Sequence, residues 1–188
     1  MKVLGLDTET TGLKQADGHR IIEIAMTLVE VGDGFSMKVL EKYEQRINPL
    51  RAIDPGAEAV HKIRITDLTH EPEWIKVAPV VASWLGKADL VIAHNMAFDG
   101  VFIAAEMMRV GIVPPPVETY CTMTNARWAT GQGKVPKLQE VCWALGIDYD
   151  HEKAHAANYD VLVMLKCFQR GLRRGFYKLP EVKVREAA

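Results

Sequence analysis

Cysteine is scarce in this chain. Cys121, Cys142 and Cys167 are an odd, widely spaced set with no C-x-x-C among them. That pattern excludes a disulfide framework and gives no basis for a zinc site, so the three read as reduced thiols packed as small apolar side chains. Long hydrophobic runs are missing too. Leu90-Val91-Ile92-Ala93 is typical of the longest, far too short to span a bilayer, so no membrane partner is expected. The N-terminus shows no signal-peptide pattern, because Asp7 interrupts its apolar stretch almost at once, and the cytoplasm is the expected compartment. Net charge is nearly absent: 23 Lys and Arg against 24 Asp and Glu leave −1, so only local patches can attract nucleic acid. Repeats, low-complexity tracts and linkers are lacking. The 188 residues read as one domain, residues 1–188, with a core over about 1–175 and a short basic C-terminal tail.

What is present begins with strands. Residues 2–9, 21–29 and 37–47 have strand character, and Gly32-Asp33-Gly34 favours a hairpin between the second and third. Helices and strands then alternate. Pro79 fits the first turn of a helix running to about Gly86. Residues 90–94 read as a buried strand and 98–110 as a helix ended by Gly111. Residues 118–128 fit a short strand that leads into a helix, and 137–145 and 157–173 are helical. A meander followed by alternating elements implies an α/β fold, a mixed sheet flanked by helices.

The chemistry centres on Asp7 and Glu9, one residue apart on an apolar strand. Strand side chains alternate, so both carboxylates point the same way, roughly 7 Å apart along the chain. Two acids on one apolar face repel each other and lose hydration, which makes them candidate ligands for hard divalent cations. Asp99 lies where the fourth strand gives way to a helix. Asp160 lies near the start of the last long helix, five residues after His155. Were both of the last pair helical they would face different ways, so His155 reads as part of the incoming loop.

Three segments carry a resemblance: Asp7-Thr8-Glu9-Thr10-Thr11-Gly12-Leu13, His94-Asn95-Met96-Ala97-Phe98-Asp99 and His155-Ala156-Ala157-Asn158-Tyr159-Asp160. Together they resemble the motifs of the DEDDh 3′–5′ exonucleases, the DnaQ-like family of the proofreading subunits. Arg20-Ile21-Ile22-Glu23-Ile24, Ala59-Val60-His61-Lys62-Ile63 and Leu138-Gln139-Glu140-Val141-Cys142 are further matches, in the same order along the chain.

The resemblance implies a ribonuclease H-like fold with a five-stranded mixed sheet. It implies that Asp7, Glu9, Asp99 and Asp160 hold two Mg²⁺ ions, with Mn²⁺ able to substitute, and that His155 is the general base. Such ions, roughly 3.5–4 Å apart, bind the phosphate oxygens, acidify a water and stabilise the leaving 3′ oxygen. An imidazole with a reference pKa of about 6.5 can take the water's proton near neutrality. The implied reaction is hydrolysis from the 3′ end of DNA, on single strands or frayed ends, releasing nucleoside 5′-monophosphates in proofreading or repair. Thr10, Thr11, Gly12, Leu13, His61, Asn95 and Phe98 match positions near the substrate. Gly12 would let the backbone approach the terminal nucleotide, Leu13 could wedge against its base, and Phe98 could pack on sugar or base.

Some positions depart from the family pattern. Lys62 follows His61 where glycine is usual, and Gly56 stands where an acid is common. The chain ends soon after Leu179-Pro180-Glu181, which favours a stand-alone enzyme or one that reaches a DNA polymerase partner by another surface. Lys166, Arg170, Arg173, Arg174, Lys178, Lys183 and Arg185 form a late basic cluster. It could track a phosphate backbone or simply be a solvated face. An exoribonuclease of the same superfamily and a non-catalytic nucleic-acid-binding or polymerase-accessory domain are the alternatives. Thr10, where short oligoribonucleases usually carry methionine, leans toward DNA.

Overall fold

The computed structural model describes residues 1–181, so Lys183 and Arg185 of the basic tail lie outside the described residues. Five strands form one sheet: β1 (Lys2–Thr10), β2 (Ile21–Val31), β3 (Met37–Arg46), β4 (Leu90–Ala93) and β5 (Glu118–Cys121). Their order is β3-β2-β1-β4-β5. β1, β2 and β3 pair antiparallel, while β4 and β5 run parallel to β1, so the sheet is mixed with β1 at its centre.

β1 shows why the sheet needs cover on both faces. Leu4 and Leu6 point into a core with Ile24, Met26, Leu28, Trp74, Val81 and Phe102. That side is closed by α2 (Trp74–Lys87) and α3 (Met96–Arg109). Val3 points the other way, into a core with Ile92, Val141, Val161 and Phe168 under α4 (Leu138–Leu145) and α5 (Ala157–Arg173). Gly5 shares that second face. A Cβ there would stand 3.0 Å from Leu165 Cγ and 3.1 Å from Met164 Cε, so its absence lets α5 lie close on the strand.

One expectation needs correction. The helix expected to begin at Pro79 begins at Trp74, with Pro79 inside it. Burial of Trp74, Val77 and Ala78 outweighs the preference for proline in a first turn. The cost is one helical bond, since Pro79 cannot donate to the Ile75 carbonyl on an exposed turn. The segment after β5 forms a 3₁₀ helix, Thr124–Ala129. A helix that sequence periodicity missed, α1 (Pro55–His61), has Asp54 at its N-cap and proline at its first position. Among the described residues no helix is long and apolar enough to cross a membrane.

Candidate active site

β1 outruns its parallel neighbour. β4 pairs with Val3, Leu4 and Gly5 only, while β2 follows the strand to Thr10. The free flank of β1 is taken by the start of α3. Asp99 Oδ1 accepts the Thr8 N–H at 3.0 Å and the Thr8 hydroxyl at 2.7 Å, replacing a strand partner with a carboxylate. On the other face, Asp7 and Glu9 continue the line of Val3 and Gly5 toward the first turn of α5, where Asp160 sits. Asp160 Oδ2 accepts the His155 N–H at 3.1 Å, and the Tyr149 hydroxyl also donates to the carboxylate.

The electrostatics show how closely these acids are gathered. Burial first, then the charges of Asp99, Glu9, Asp160 and Glu23, hold the Asp7 carboxyl well above the usual range. Glu9 is pushed up to about 9 by burial, then by Glu23, Asp160 and Asp99. Burial raises Asp99 to about 7 although the Thr8 donors pull it down. Burial also raises Asp160, against the His155 N–H and imidazole and the Tyr149 hydroxyl. Without a counter-charge the cluster holds protons at neutral pH.

The donor set is all carboxylate oxygen, which suits Mg²⁺ or Mn²⁺ rather than a soft metal. Among the described residues no three His, Cys, Asp or Glu side chains already converge as a cage around an ion. Mg²⁺ commonly keeps waters and takes one or two carboxylates together with substrate phosphate, so an open set of four mutually raised acids fits it.

A cleft of about 420 Å³ adjoins the acids. Its lining includes Glu9, Leu13, Pro55, Val60, His61 and Phe98. Helix α1, the missed element, makes one wall. Leu13 is 81% exposed at the rim. Phe98 is half-buried, its ring 4.8 Å from that of Phe102, with one side left to the cleft. His61 is buried; Nδ1 accepts the Ile63 N–H at 3.0 Å, and burial lowers its pKa although the Thr10 backbone bonds the ring and pulls it up. Thr10 and Gly12 also line the cleft, with the Thr10 hydroxyl bonded to the Gly12 carbonyl at 2.8 Å.

Other expected residues are placed differently. Thr11 is fully buried, its hydroxyl between His19 Nδ1 and the Arg20 N–H, so it braces the loop instead of meeting a ligand. A Cβ on Gly12 would strike the His19 ring at 2.3 Å, so close packing on His19 demands glycine there, besides any approach by a nucleotide. His19, given no role from sequence, wedges this loop and lies 3.4 Å from Asp54. Asn95 stands at the N-cap of α3 without a side-chain cap bond and is not among the cleft's lining residues. His155 is exposed, just before α5, in left-handed backbone with φ 62. Glu23, in sequence only part of a matching segment, is buried directly opposite Glu9 across the β1–β2 pair. An acid inside the apolar run Ile21-Ile22-Glu23-Ile24 is the signal for it, the same one that marks Asp7.

A family model described as Exonuclease matches residues 4–168. The chain belongs to this exonuclease family. It is 31% identical over 174 residues to the DNA polymerase III subunit epsilon of Escherichia coli K12, covering 87% of this chain and 68% of that protein. This exonuclease is thus a homologue of the DnaQ-like 3′–5′ exonucleases. Its fold matches the nuclease domain of 3′hExo, a DEDDh family member bound to rAMP, with TM-score 0.71 at 19% identity over 100% of this chain and 97% of that one. It also matches Escherichia coli Exonuclease I in complex with a dT13 oligonucleotide, with TM-score 0.76 at 18% identity over 93% of this chain and 42% of that one. These neighbours bear out the ribonuclease H-like fold, a five-stranded mixed sheet flanked by helices.

Proposed function

We propose that this exonuclease hydrolyses single-stranded or frayed DNA from the 3′ end, releasing nucleoside 5′-monophosphates. The observation that carries the reading is one junction. Acids from β1, α3 and α5 share a buried electrostatic cluster beside a mostly apolar cleft of about 420 Å³. Such a cleft can take one nucleotide. Leu13 and Phe98 would hold the terminal base and sugar. His61, on the cleft wall, would offer its ring to the nucleotide. Contacts of this kind read no sequence, so little base preference is expected.

The DEDDh family depends on divalent metal. Charge neutralisation at the phosphate, an acidified water and a stabilised leaving oxygen are what two Mg²⁺ or Mn²⁺ ions supply when held by Asp7, Glu9, Asp99 and Asp160. His155 would accept the proton of the attacking water. Its exposed position beside Asp160 lets it lean over the cluster, and the bond from its N–H to Asp160 ties the base to an acid. A DNA polymerase is the proposed protein partner, supported by the epsilon subunit as a relative.

The test is digestion of matched 3′-labelled and 5′-labelled DNA and RNA oligonucleotides with Mg²⁺, Mn²⁺ or EDTA. Early release of a labelled 3′ mononucleotide from DNA, dependent on metal and absent in Asp7→Ala, is the expected result. Faster loss of RNA would move the substrate to ribonucleic acid. An intact 3′ end with wild-type protein and metal would leave a binding domain.

A further inference from the structure

Helix α5 carries Asp160 in its first turn, yet it starts without a cap of its own. Ala156 stands at its N-cap, and a methyl group accepts no hydrogen bond. The N–H of Ala157, first residue of the helix, donates instead to Glu23 Oε2 at 3.4 Å, across 134 positions of sequence. The other Glu23 oxygen accepts Arg46 Nε at 3.0 Å. Glu23 is 4% exposed and is the direct cross-strand partner of Glu9. Burying one more acid beside this cluster is unfavourable unless its oxygens are engaged, and both are. They face Arg46 and the helix, so Glu23 is not disposed as a fifth ligand.

We propose that Glu23 is a positioning residue: it caps α5 from β2 and thereby sets the His155–Asp160 segment in register with Asp7 and Glu9. This rests on the functional reading above. Two carboxylates pin the segment, Asp160 through the His155 N–H and Glu23 through the Ala157 N–H. Between them His155 keeps a left-handed backbone, a conformation that a non-glycine residue holds only when its surroundings enforce it. A helix dipole favours an anion at this end, which adds to the hydrogen bond.

Reach and charge can be separated. Glu23→Gln keeps the reach and one acceptor oxygen, which Ala157 can take while the half-exposed Arg46 guanidinium turns from the new amide NH2 to water. Glu23→Asp keeps the charge but is one methylene too short to hold both Arg46 and the helix. In the 188-residue chain with Mn²⁺ and a 3′-labelled DNA strand, Glu23→Asp should lower kcat roughly 10–100-fold, the scale of a displacement near 1 Å. KM should stay within about twofold, since Glu23 does not line the cleft. Glu23→Gln should stay within about threefold of wild type in kcat. Hydrogen exchange at the Ala157 amide of metal-free protein should quicken in Glu23→Asp and not in Glu23→Gln. Wild-type kcat in Glu23→Asp, or a Gln variant as impaired as the Asp variant, would overturn the proposal. If wild-type protein shows no nuclease activity, the functional reading fails, and the amide still decides: unchanged Ala157 exchange in Glu23→Asp rejects the cap.

Discussion

Replacing Asp99 with asparagine should stabilise the metal-free protein while removing its activity. Asp99 is 3% exposed and its pKa is pushed from an ordinary 3.8 to about 7. The folded group therefore keeps its proton to higher pH than the unfolded one. Ionisation costs the fold nothing below about pH 4, increasingly through pH 4–7, and fully above about pH 7. Each unit of difference is worth about 1.4 kcal/mol, so the full cost is at most about 4 kcal/mol. An asparagine side chain would keep the shape, and its amide oxygen could still accept both Thr8 donors.

Urea unfolding in EDTA measures this directly. Asp99→Asn should gain about 1–2 kcal/mol at pH 5 and about 2–4 kcal/mol at pH 8. For a chain of this length that corresponds to a rise in Tm of roughly 4–16 °C at pH 8. Relief of Asp7, which feels the charge of Asp99, acts in the same direction. Saturating Mn²⁺ should narrow or reverse the difference, because a ligand that binds only the folded wild type stabilises it. A gain no larger at pH 8 than at pH 5 would refute a buried, charge-burdened Asp99.

Three other outcomes follow from named contacts. Adding Mn²⁺ at pH 6.5 should release protons held by Asp7, Glu9 and Asp99; calorimetry in buffers of different ionisation enthalpy reads the number, and no release at pH 6.5 contradicts a shared cation site. Lys62→Gly should raise stability by about 0.5–1 kcal/mol. Lys62 holds φ 59 at the C-cap of α1, and relief of that strain exceeds the added chain entropy; a loss on thermal unfolding would show the strain to be absent. Gly12→Ala should cost roughly 1–3 kcal/mol and raise KM, because the new methyl displaces the His19 ring that braces the cleft; unchanged thermal unfolding would count against that brace.

What the sequence disclosed and what it hid separate by range of interaction. Alternation along β1 suffices to put Asp7 and Glu9 on one face, because the period of a strand is local. The apolar stripe of α5 is equally local, and its observed bounds match the periodicity. The limits of α2 are not local, since the burial of Trp74 against the sheet extends the helix past what Pro79 suggests. Helix α1 is short and weakly amphipathic, so periodicity passes over it although Asp54-Pro55 marks its start. His19 and Glu23 act through partners far away in the chain or around a loop, which spacing alone does not reveal. Lys62 is the instructive opposite: it holds a left-handed backbone of the kind glycine favours, and nothing in its own side chain announces that.

The site itself grows from a mismatch in strand length. Had β4 continued beside β1, its backbone would have taken the Thr8 N–H, leaving no polar opening for a carboxylate from α3. Because β4 stops and turns into α3, Asp99 arrives where a strand partner is missing and satisfies that donor with a charge. The opposite face is shaped by absence as well. Gly5 lets α5 descend, and that descent brings Asp160 within electrostatic reach of Asp7 and Glu9. Each acid is thus delivered by an ordinary packing requirement of its own element. Only their meeting is costly, and a bound cation would turn that repulsion into ligation. A bulkier residue at position 5 should therefore weaken metal binding before it disturbs the cleft, since Gly5 touches α5 and is not among the residues lining the cleft.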